Sequence, residues 1–303
     1  MEFELTILGS SSASPTKYRN PTAQLLNFRN THFLIDCGEG TQKQLKINGF
    51  NHFNITKIFI SHLHGDHYLG LFGLLSSMSL NGREKPLDLY APAELQELLA
   101  LQSKISKVYW SFELRFHPTQ NKTSELIFED HRIEIFSIPL KHRVPTTGFV
   151  FKEKPLLRKL NPKMLRDYDI PNYVRASIKK GADFTTEDGH LLTNKQLTLD
   201  PEASRSYAYC SDTKYTESIL EDIKGVDLLY HEATFLDQLA DRAKTTGHST
   251  AKQAGEIAKL AAVKQLVIGH FSSRYRDLNP LLDEAKTEFP NTVLAIENTT
   301  ISL

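Results

Sequence analysis

Cysteine is scarce in this chain, with only Cys37 and Cys210 among 303 residues. Two cysteines cannot build the framework of disulfides that holds small secreted domains together, so the sequence favours a reducing compartment. No stretch approaches the roughly 18 apolar residues that a membrane-spanning helix needs. The first residues, "MEFELTILGSSSASP", lack the basic and apolar regions of a secretion signal. We therefore expect a cytoplasmic protein without a membrane partner.

An excess of charge of one sign is also missing, because 36 Lys and Arg balance 36 Asp and Glu. Nucleic-acid binding would then require a local basic patch. Residues 152–180 offer one: nine Lys or Arg stand against Glu153, Asp167 and Asp169, a net charge of +6, which leaves −6 for the rest of the chain. Prolines interrupt this region, and it has no strong strand signal. From the residues alone it is either a solvated insertion or an arm that binds a polyanion.

Short β-branched and aromatic runs with turn-forming boundaries predict strands along the remainder of the chain. These runs are "FELTILG", "AQLLNF", "HFLIDCG", "TKIFIS", "RIEIFSIPL", "SYAYCSD", "DLLYHEA", "KQLVIGH" and "TVLAIEN". Helical patterns cover about 67–80, 92–104, 213–224 and 249–262, with plausible N-caps in "SDT" and "GHST" for the last two. Strands that alternate with helices predict an α/β fold.

Metal-type ligands are concentrated in "HLHGDHYLG", which contains His62, His64, Asp66 and His67 directly after the apolar run "KIFIS". Residues of the same types follow four further predicted strands: His142, Asp212, His231 and His270. In α/β sheets, functional sites are assembled at the carboxyl ends of strands. The sequence therefore predicts one shared site at this edge.

Imidazole and carboxylate ligands without cysteine suit zinc, and also manganese or iron. Seven candidates exceed the three or four ligands of one zinc: His62, His64, Asp66, His67, His142, Asp212 and His270. Two metals bridged by Asp212 would account for the surplus. Paired metals generate hydroxide near neutral pH and stabilise a pentacoordinate phosphorus. The predicted chemistry is hydrolysis, with phosphoesters favoured.

With these ligands the chain resembles the metallo-β-lactamase superfamily and, within it, the ribonuclease Z family of tRNA 3′-processing endonucleases. Other motifs, spread over essentially the whole chain, support the narrower resemblance: "PTKYRN" at Pro15–Asn20, "DCGEGTQ" from Asp36, "HEAT" from His231, "HST" from His248 and "HFSSRY" ending at Tyr275. The chain departs from the family in one place. The Gly- and Pro-rich tip of the family's arm is replaced by "DIPNYVRASIKKG".

The resemblance implies a single domain over residues 1–303, an αβ/βα sandwich with a protruding basic arm inserted at 152–200. It implies a zinc-dependent endoribonuclease that removes 3′ extensions from tRNA precursors and leaves a 3′-hydroxyl on the tRNA. Two zinc ions per subunit are expected. So is a homodimer in which the arm of one subunit grips the tRNA that the other subunit cuts. DNA is not an expected partner.

The resemblance also assigns roles by matching positions. One zinc takes His62, His64 and His142, the second takes Asp66, His67 and His270, and Asp212 bridges them. Asp66 is also the expected general base, and Glu232 is expected to orient His248 as the proton donor. The expected RNA contacts are Lys17, Arg19, Asn20, Arg274, Lys154, Arg158, Lys159, Lys179 and Lys180.

Three other functions remain open at this stage. Another hydrolase of the superfamily, acting on a lactone, a thioester or a small phosphodiester, needs the same metals but no basic arm. A di-iron oxidoreductase would carry a carboxylate in place of His64 and a flavin domain. An RNA-binding module that has lost its metals would not be expected to keep all seven ligands.

Overall fold

Two seven-stranded sheets form the fold of residues 2–303, the part of the chain that this computed structural model describes. The strands of the first sheet are β1 (Phe3–Gly9), β2 (Ala23–Phe28), β3 (Thr31–Ile35), β4 (Ile55–Phe59), β5 (Leu87–Pro92), β6 (Leu114–Thr119) and β18 (Thr300–Ser302). Their order in space is β18-β1-β2-β3-β4-β5-β6, and β3 to β6 are parallel. Parallel strands place their carboxyl ends at one edge, which is where the first ligand-bearing loop begins.

The second sheet has the same number of strands. They are β7 (Glu125–Glu129), β8 (Ile133–Leu140), β9 (Thr146–Glu153), β14 (Ser206–Cys210), β15 (Leu228–Glu232), β16 (Gln265–Gly269) and β17 (Thr292–Leu294). Their order is β17-β16-β15-β14-β9-β8-β7, with β14 to β17 parallel. The ends of β14, β15 and β16 therefore also lie side by side.

The two sheets pack face to face through aromatic side chains. Phe33 of β3 stacks on Phe151 of β9 with ring centroids 6.0 Å apart. Phe59 of β4 contacts Phe149 and Phe151 at 5.2 and 5.3 Å. These rings are fully or almost fully buried. One hydrophobic core of the protein therefore lies between the two sheets.

Helices cover the outer faces of both sheets. Their bounds are α1 (Thr41–Ile47), α2 (Gly65–Tyr68), α3 (Leu71–Leu80), α4 (Glu94–Ser106), α8 (Leu220–Ile223), α9 (Ala240–Thr246), α10 (Ala251–Leu260) and α11 (Asn279–Glu288). Successive residues of a strand face opposite sides. Ile58 accordingly joins a buried cluster with Leu74 of α3 and Leu95 of α4, whereas Phe59 faces the other sheet. On the other side α10 and α11 pack against each other, with α10 on β16 and α11 on β17. The predicted αβ/βα sandwich is confirmed.

A second compact unit comprises Glu129–Glu134 and Lys152–Arg205. Its elements are β10 (Lys159–Leu160), α5 (Pro162–Asp167), α6 (Arg175–Lys179), β11 (Phe184–Thr185), β12 (Leu191–Leu192), α7 (Asn194–Leu197) and β13 (Thr198–Leu199). It has a small buried core of its own, formed by Ile170, Ile178, Leu192 and Leu197. The strands are only two residues long, which is why this region gives no strand signal. That residues 152–200 act as an RNA-binding arm remains a prediction.

All nine predicted strands are present in the two large sheets, where β5, β6, β7, β9 and β18 were not predicted. The helix predicted for 213–224 forms only over residues 217–223. Only a 3₁₀ turn at Glu217–Ile219 and the short α8 form there, and Thr216, not the "SDT" stretch, caps the turn. The start of the segment is not helical, because Asp212 has a left-handed backbone with φ of 58° and Thr216 is extended with φ of −156° and ψ of 131°. Across residues 2–303 no helix is long and apolar enough to cross a membrane.

Candidate metal centre

The seven predicted ligands converge where the strands of both sheets end. His62 follows β4, His142 follows β8, Asp212 follows β14 and His270 follows β16. The remaining three, His64, Asp66 and His67, lie on or directly before the single turn of α2. No two of the supplying strands are joined by a hairpin, so long-range topology brings the set together.

The first group of ligand atoms surrounds one oxygen of Asp212. Oδ2 of Asp212 lies 3.5 Å from Nε2 of His62 and 3.5 Å from Nε2 of His142. Nδ1 of His64 is 3.0 Å from Nε2 of His62 and 3.2 Å from Nε2 of His142. These four atoms form a compact set of one oxygen and three nitrogens.

The second group surrounds the other oxygen of the same carboxylate. Oδ1 of Asp212 lies 3.2 Å from Nε2 of His67 and 3.0 Å from Nε2 of His270. Oδ2 of Asp66 is 3.5 Å from His67 and 3.4 Å from His270 through the same ring nitrogens. The two groups share Asp212 and nothing else, which is the geometry expected of a bridging carboxylate.

Three residues of the site adopt a left-handed backbone, which is uncommon outside glycine. Their φ angles are 54° for Asp36, 58° for Asp212 and 58° for His270, each within two residues of the end of a strand. Strained conformations of this kind persist only where surrounding structure enforces them, and they concentrate at functional sites. The sharp turn redirects each side chain toward the shared centre.

Burial and charge make this ligand set costly without cations. Nε2 of His67 is buried without a hydrogen-bond partner among the described residues. Burial alone lowers the pKa of His67, but Asp212, Asp36 and Asp66 together raise it well above its ordinary value. Burial and the neighbouring His67 lower the pKa of His62. Two largely buried clusters of nitrogen and oxygen donors fit divalent metal ions of the zinc type.

Asp36 forms a hydrogen bond with Nδ1 of His67, the ring nitrogen that does not face the other ligands. Its Oδ2 accepts hydrogen bonds from Nδ1 of His67 at 2.7 Å and from the hydroxyl of Tyr209 at 2.5 Å. Its Oδ1 accepts from the backbone N–H of Ser61 at 2.8 Å. A carboxylate on the far nitrogen fixes the ring orientation and leaves Nε2 free to bind a metal. The sequence interpretation assigned no chemistry to this region.

The glycines of "DCGEG" let two loops approach closely. The carbonyl oxygen of Cys37 accepts a hydrogen bond from Gly70 N–H at 2.9 Å, and Cys37 N–H donates to the carbonyl oxygen of His67 at 2.8 Å. A side chain at Gly38 would place its Cβ 2.4 Å from the carbonyl oxygen of Asp66. The motif therefore positions the ligand-bearing turn, which explains its presence without a direct chemical role.

His248 and Glu232 lie beside the ligands as a pair. Nδ1 of His248 is 3.0 Å from Oε1 of Glu232. Burial alone would lower the pKa of His248, but the Glu232 carboxylate outweighs burial and raises it to about 9. A histidine held in its protonated form next to a hydrolytic centre is suited to proton donation.

Glu232 is not available as a ligand, although one of its oxygens lies near Asp212, His248 and His270. Its four hydrogen bonds use both oxygens. Oε1 accepts from Thr213 N–H and His248; Oε2 accepts from the Thr234 hydroxyl and Ser249 N–H. Thr234 in turn contacts Nδ1 of His270 at 3.0 Å. Glu232 thus organises the proton donor and the neighbouring ligand at once.

One expectation about neighbouring residues needs correction, and the N-cap predicted within "GHST" is confirmed. His231 was grouped with the strand-end ligands, but it is buried, belongs to neither ligand group, and its Nδ1 lies 2.7 Å from the Glu232 carbonyl oxygen. Successive strand residues face opposite ways, so Glu232 faces the site and His231 does not. The N-cap of α10 is Thr250, which forms a capping box with Gln253, and this leaves His248 free of any capping role.

The "PTKYRN" loop is fixed by contacts of its last two residues. The guanidinium of Arg19 donates to the carbonyl oxygen of Ser272 at 3.2 Å. Asn20 donates to Glu297 twice, from its backbone at 2.6 Å and its side chain at 2.7 Å. Sequence reasoning missed Glu297, although it stands in the predicted strand segment "TVLAIEN". Lys17 carries no ion pair with any residue from 2 to 303, and Tyr18 beside it is exposed.

Of the remaining predicted RNA contacts, Arg274 donates to the hydroxyl of Ser272 at 3.0 Å and lies over the ring of Phe235. The others lie in the second unit and fall into two groups. Lys154, Arg158 and Lys159 are paired with Glu129, Asp200 and Glu202, respectively. Lys179 and Lys180 are exposed and form no ion pair within residues 2–303.

Comparison with known proteins identifies the family. Curated proteins named Ribonuclease Z match essentially the whole chain. The one from Phocaeicola vulgatus is 47% identical and covers 100% of this chain and 98% of its own length. The one from Cytophaga hutchinsonii is 48% identical, covering 98% and 95%.

Solved structures agree. The short form of human tRNase Z has a TM-score of 0.73 at 28% identity, covering 99% of this chain and 98% of its own. The Bacillus subtilis metallo-beta-lactamase fold protein YhfI superposes with a TM-score of 0.70 at 18% identity, each chain fully covered, which supports the fold alone. A family model described as "Anti-Pycsar protein Apyc1" matches residues 3–167, and one described as "Beta-lactamase superfamily domain" matches 176–271.

Proposed function

Since the chain belongs to the ribonuclease Z family, we propose that it is an endoribonuclease that removes 3′ extensions from tRNA precursors. Water attacks the phosphodiester, the bond between phosphorus and the 3′ oxygen breaks, and the tRNA keeps a 3′-hydroxyl. The observation that carries the proposal is the pair of ligand groups on the two oxygens of Asp212.

The proposed cofactors are two zinc ions per chain. His62, His64 and His142 would hold one, Asp66, His67 and His270 the other, and Asp212 would bridge them. The donor set of imidazole and carboxylate suits zinc, and neither buried cysteine is part of it. A pair of such ions supplies a hydroxide nucleophile near neutral pH and neutralises charge on the phosphate.

The chain's own residues move the protons in this scheme. Asp66 takes the proton of the attacking water. Its Oδ2 is held by the backbone N–H of Ala13 at 2.7 Å and faces His67 and His270, so the carboxylate has a fixed orientation. His248, oriented by Glu232, gives a proton to the departing 3′ oxygen. The balance of the step is one water consumed and one P–O bond broken.

RNA contacts are proposed for two regions. Lys17, Arg19 and Asn20 of the "PTKYRN" loop, with Arg274, would meet the acceptor end. The loop contacts the segment after His270 through Arg19 and Ser272, so it is held beside the ligands. Backbone phosphates are the targets, because such contacts position an RNA without reading its sequence.

The second unit is proposed as the arm that grips the body of the tRNA. Its charge is uneven: residues 152–180 carry +6, whereas 181–205 hold five acidic and two basic residues. Lys154, Arg158 and Lys159 are already paired with carboxylates, so their phosphate contacts would compete with internal ones. Lys179 and Lys180, with the equally exposed Lys163 and Arg166, are proposed as the principal phosphate contacts. Tyr173 is 84% exposed and offers a stacking surface.

A homodimer is the proposed assembly. Exposed apolar side chains form a stripe on α4, with Leu98, Leu101 and Ile105 at helical spacing. Leu80 at the end of α3 and Tyr109 extend it, and Ser79 is bonded to the Tyr109 carbonyl. Apolar patches of this kind mark interaction sites.

The proposed place of action is the cytoplasm, where the protein would meet tRNA precursors.

The decisive experiment incubates the purified protein with a 3′-extended tRNA precursor and maps the cut. We expect one cut at the 3′ end of the tRNA body, with a 3′-hydroxyl on the tRNA and a 5′-phosphate on the trailer. Bis(p-nitrophenyl) phosphate serves as a small substrate in parallel. Hydrolysis of the small diester without any cut in the precursor would favour a hydrolase of small phosphodiesters and contradict the proposal.

A further inference from the structure

A pocket of about 370 Å³ has His248 in its lining, and the proposed chemistry uses none of its other lining residues. His248 forms one wall. The other lining residues are Lys214, Tyr215, Ala240, Asp241, Lys244 and Gln253. The volume is within the range of about 300–1,000 Å³ found for small-molecule sites, which is enough for one nucleotide.

The pocket has unsatisfied positive charge. Lys214 and Lys244 are both exposed, and neither ammonium group lies in an ion pair with a carboxylate of residues 2–303. Asp241 is the one acidic residue in the lining. Two lysines against one aspartate give the lining more positive than negative charge, which suits an anionic ligand.

The walls of the pocket are tied to the candidate metal centre. Lys214 and Tyr215 belong to the loop that begins with Asp212. The backbone N–H of Lys214 donates a hydrogen bond to the carbonyl oxygen of Lys141, the neighbour of His142, at 2.9 Å. The phenol of Tyr215 donates to Glu217 at 3.0 Å, which fixes its ring. On the other wall, Ala240, Asp241 and Lys244 occupy one face of α9. A ligand here would therefore be held in a fixed position relative to the bond that is cut.

The chemistry sets which nucleotide would lie there. When the tRNA keeps a 3′-hydroxyl, the leaving oxygen belongs to the last nucleotide of the tRNA. His248 delivers a proton to that oxygen, so that nucleotide must lie on the His248 side of the phosphorus. The trailer, which keeps the phosphate, leaves in the other direction.

We propose that this pocket binds the last nucleotide retained by the tRNA. Lys214 and Lys244 contact the phosphate on its 5′ side, the ring of Tyr215 packs against its base or ribose, and Asp241 accepts a hydrogen bond from a ribose hydroxyl or base amine. The proposal rests on the proposed function and adds a subsite that positions the leaving oxygen at His248. A face contact with an aromatic ring accepts any base, so the pocket would hold all four.

The test crosses protein variants with a modified substrate. A precursor is prepared with an uncharged methylphosphonate in place of the phosphate on the 5′ side of the last retained nucleotide. With the native protein, we expect kcat/KM for this precursor to fall about tenfold or more, the loss typical of a hydrogen bond to a charged group. With Lys214→Ala/Lys244→Ala, the ordinary precursor should lose a similar factor and the methylphosphonate should cause little further loss.

Matched controls separate this effect from general damage. Lys286→Ala removes an exposed lysine of α11 that does not line the pocket, and it should leave kcat/KM unchanged. Zinc content and hydrolysis of bis(p-nitrophenyl) phosphate, which has no nucleoside, should stay at native levels in the double variant. Tyr215→Ala should lower precursor cleavage, and Tyr215→Phe, which keeps the ring but loses the bond to Glu217, should lower it less.

Each contrary result has a distinct meaning. A full additional loss from the methylphosphonate in Lys214→Ala/Lys244→Ala, or native cleavage by that variant, would overturn the pocket assignment and leave the endonuclease assignment intact. An equal loss on the small diester would show that the lysines support the metal centre instead. Failure of the native protein to cut the ordinary precursor would remove the proposed function and this subsite together.

Discussion

Oε1 of Glu232 accepts hydrogen bonds both from Nδ1 of His248 at 3.0 Å and from the backbone N–H of Thr213 at 2.7 Å. Thr213 directly follows Asp212, the carboxylate shared by both ligand groups. The candidate proton donor is therefore fixed to the loop that carries the candidate bridging ligand, through a single buried carboxylate. The two candidate parts of the site are thus connected by hydrogen bonds, although they come from separate parts of the chain.

Replacing His248 should affect proton transfer and little else. We expect His248→Ala to lower kcat on the tRNA precursor by about 10²- to 10⁴-fold, the usual contribution of general-acid catalysis. The loss should be much smaller on bis(p-nitrophenyl) phosphate, because p-nitrophenolate leaves without a proton. Zinc content and tRNA binding should stay close to native. Equal losses on the two substrates, or lost zinc, would refute the assignment.

Asp36 should govern metal affinity through His67. The Asp36 carboxylate accepts hydrogen bonds from His67, Tyr209 and Ser61. Asp36→Asn replaces one of its oxygens with an amide nitrogen, which cannot accept a hydrogen bond. Carboxylates behind histidine ligands typically contribute about 10- to 100-fold in metal affinity. Zinc transfer to a coloured chelator should be easier from Asp36→Asn by that order. Tyr209→Phe, which keeps the carboxylate, is the matched control and should show a smaller change; native zinc retention in Asp36→Asn would contradict the role.

Removing the metals should abolish activity and lower stability. Elemental analysis should return about two zinc ions per chain, and chelation should stop hydrolysis of precursor and small diester alike. Any ligand that binds only the folded state stabilises it, so the metal-free protein should also unfold at a lower temperature. Readdition of zinc should restore both properties. Full activity in rigorously metal-free protein would rule out the metal-dependent mechanism.

The unpaired lysines of the second unit should contribute more to tRNA affinity than the paired ones. Each phosphate contact adds a little under one unit to the slope of log K against log salt concentration. Lys179→Ala/Lys180→Ala should weaken tRNA binding at low salt and flatten that slope by up to about two, with cleavage of bis(p-nitrophenyl) phosphate unchanged. Lys159→Ala, which removes a lysine already paired with Glu202, is the control and should flatten it less. An unchanged slope in the double variant would place the tRNA contact elsewhere.

The convergence of the candidate metal ligands was predictable because the spacing of four of them is local and their chemistry is distinctive. The stretch "HLHGDHYLG" places four ligand-type residues within six positions, and His142, Asp212 and His270 each follow a recognisable strand. Asp36 and Glu297 could not be found in this way. Each acts through one neighbour that is remote in sequence: His67 lies 31 positions from Asp36, and Asn20 lies 277 positions from Glu297. A lone carboxylate after a strand carries no signal of its partner.

Related physical reasons explain why some strands were not predicted. β5, "LDLYAP", and β6, "LRFHPT", contain prolines or charges that weaken a strand pattern, and parallel pairing with β4 stabilises β5 in place of its own propensity. In the same way, the left-handed backbone of Asp212 and His270 follows from the surrounding fold, since nothing in either residue type requires it. Local patterns predicted the elements that fold by their own propensity, and tertiary structure supplied the others.

Glu297 should position the "PTKYRN" loop for RNA. Its carboxylate accepts three hydrogen bonds, from Ser10 N–H at 3.4 Å and from Asn20 N–H and side-chain amide at 2.6 and 2.7 Å. Glu297→Gln puts an amide nitrogen opposite one of these donors and should release the loop, raising KM for the tRNA precursor about tenfold while kcat changes less.

The same substitution distinguishes loop positioning from damage to the metal centre. Because Ala13 of the adjoining segment bonds Asp66, a collapse of the whole region would also reduce zinc content and cleavage of bis(p-nitrophenyl) phosphate. We expect both to stay native. Asn20→Ala should raise KM to a similar extent, and the double variant should be no worse than either single one, since both remove the same contact. Additive losses would mean that Glu297 acts on something other than Asn20. Glu288→Gln, which alters a carboxylate paired with Lys259 on the surface, is the control and should leave KM unchanged.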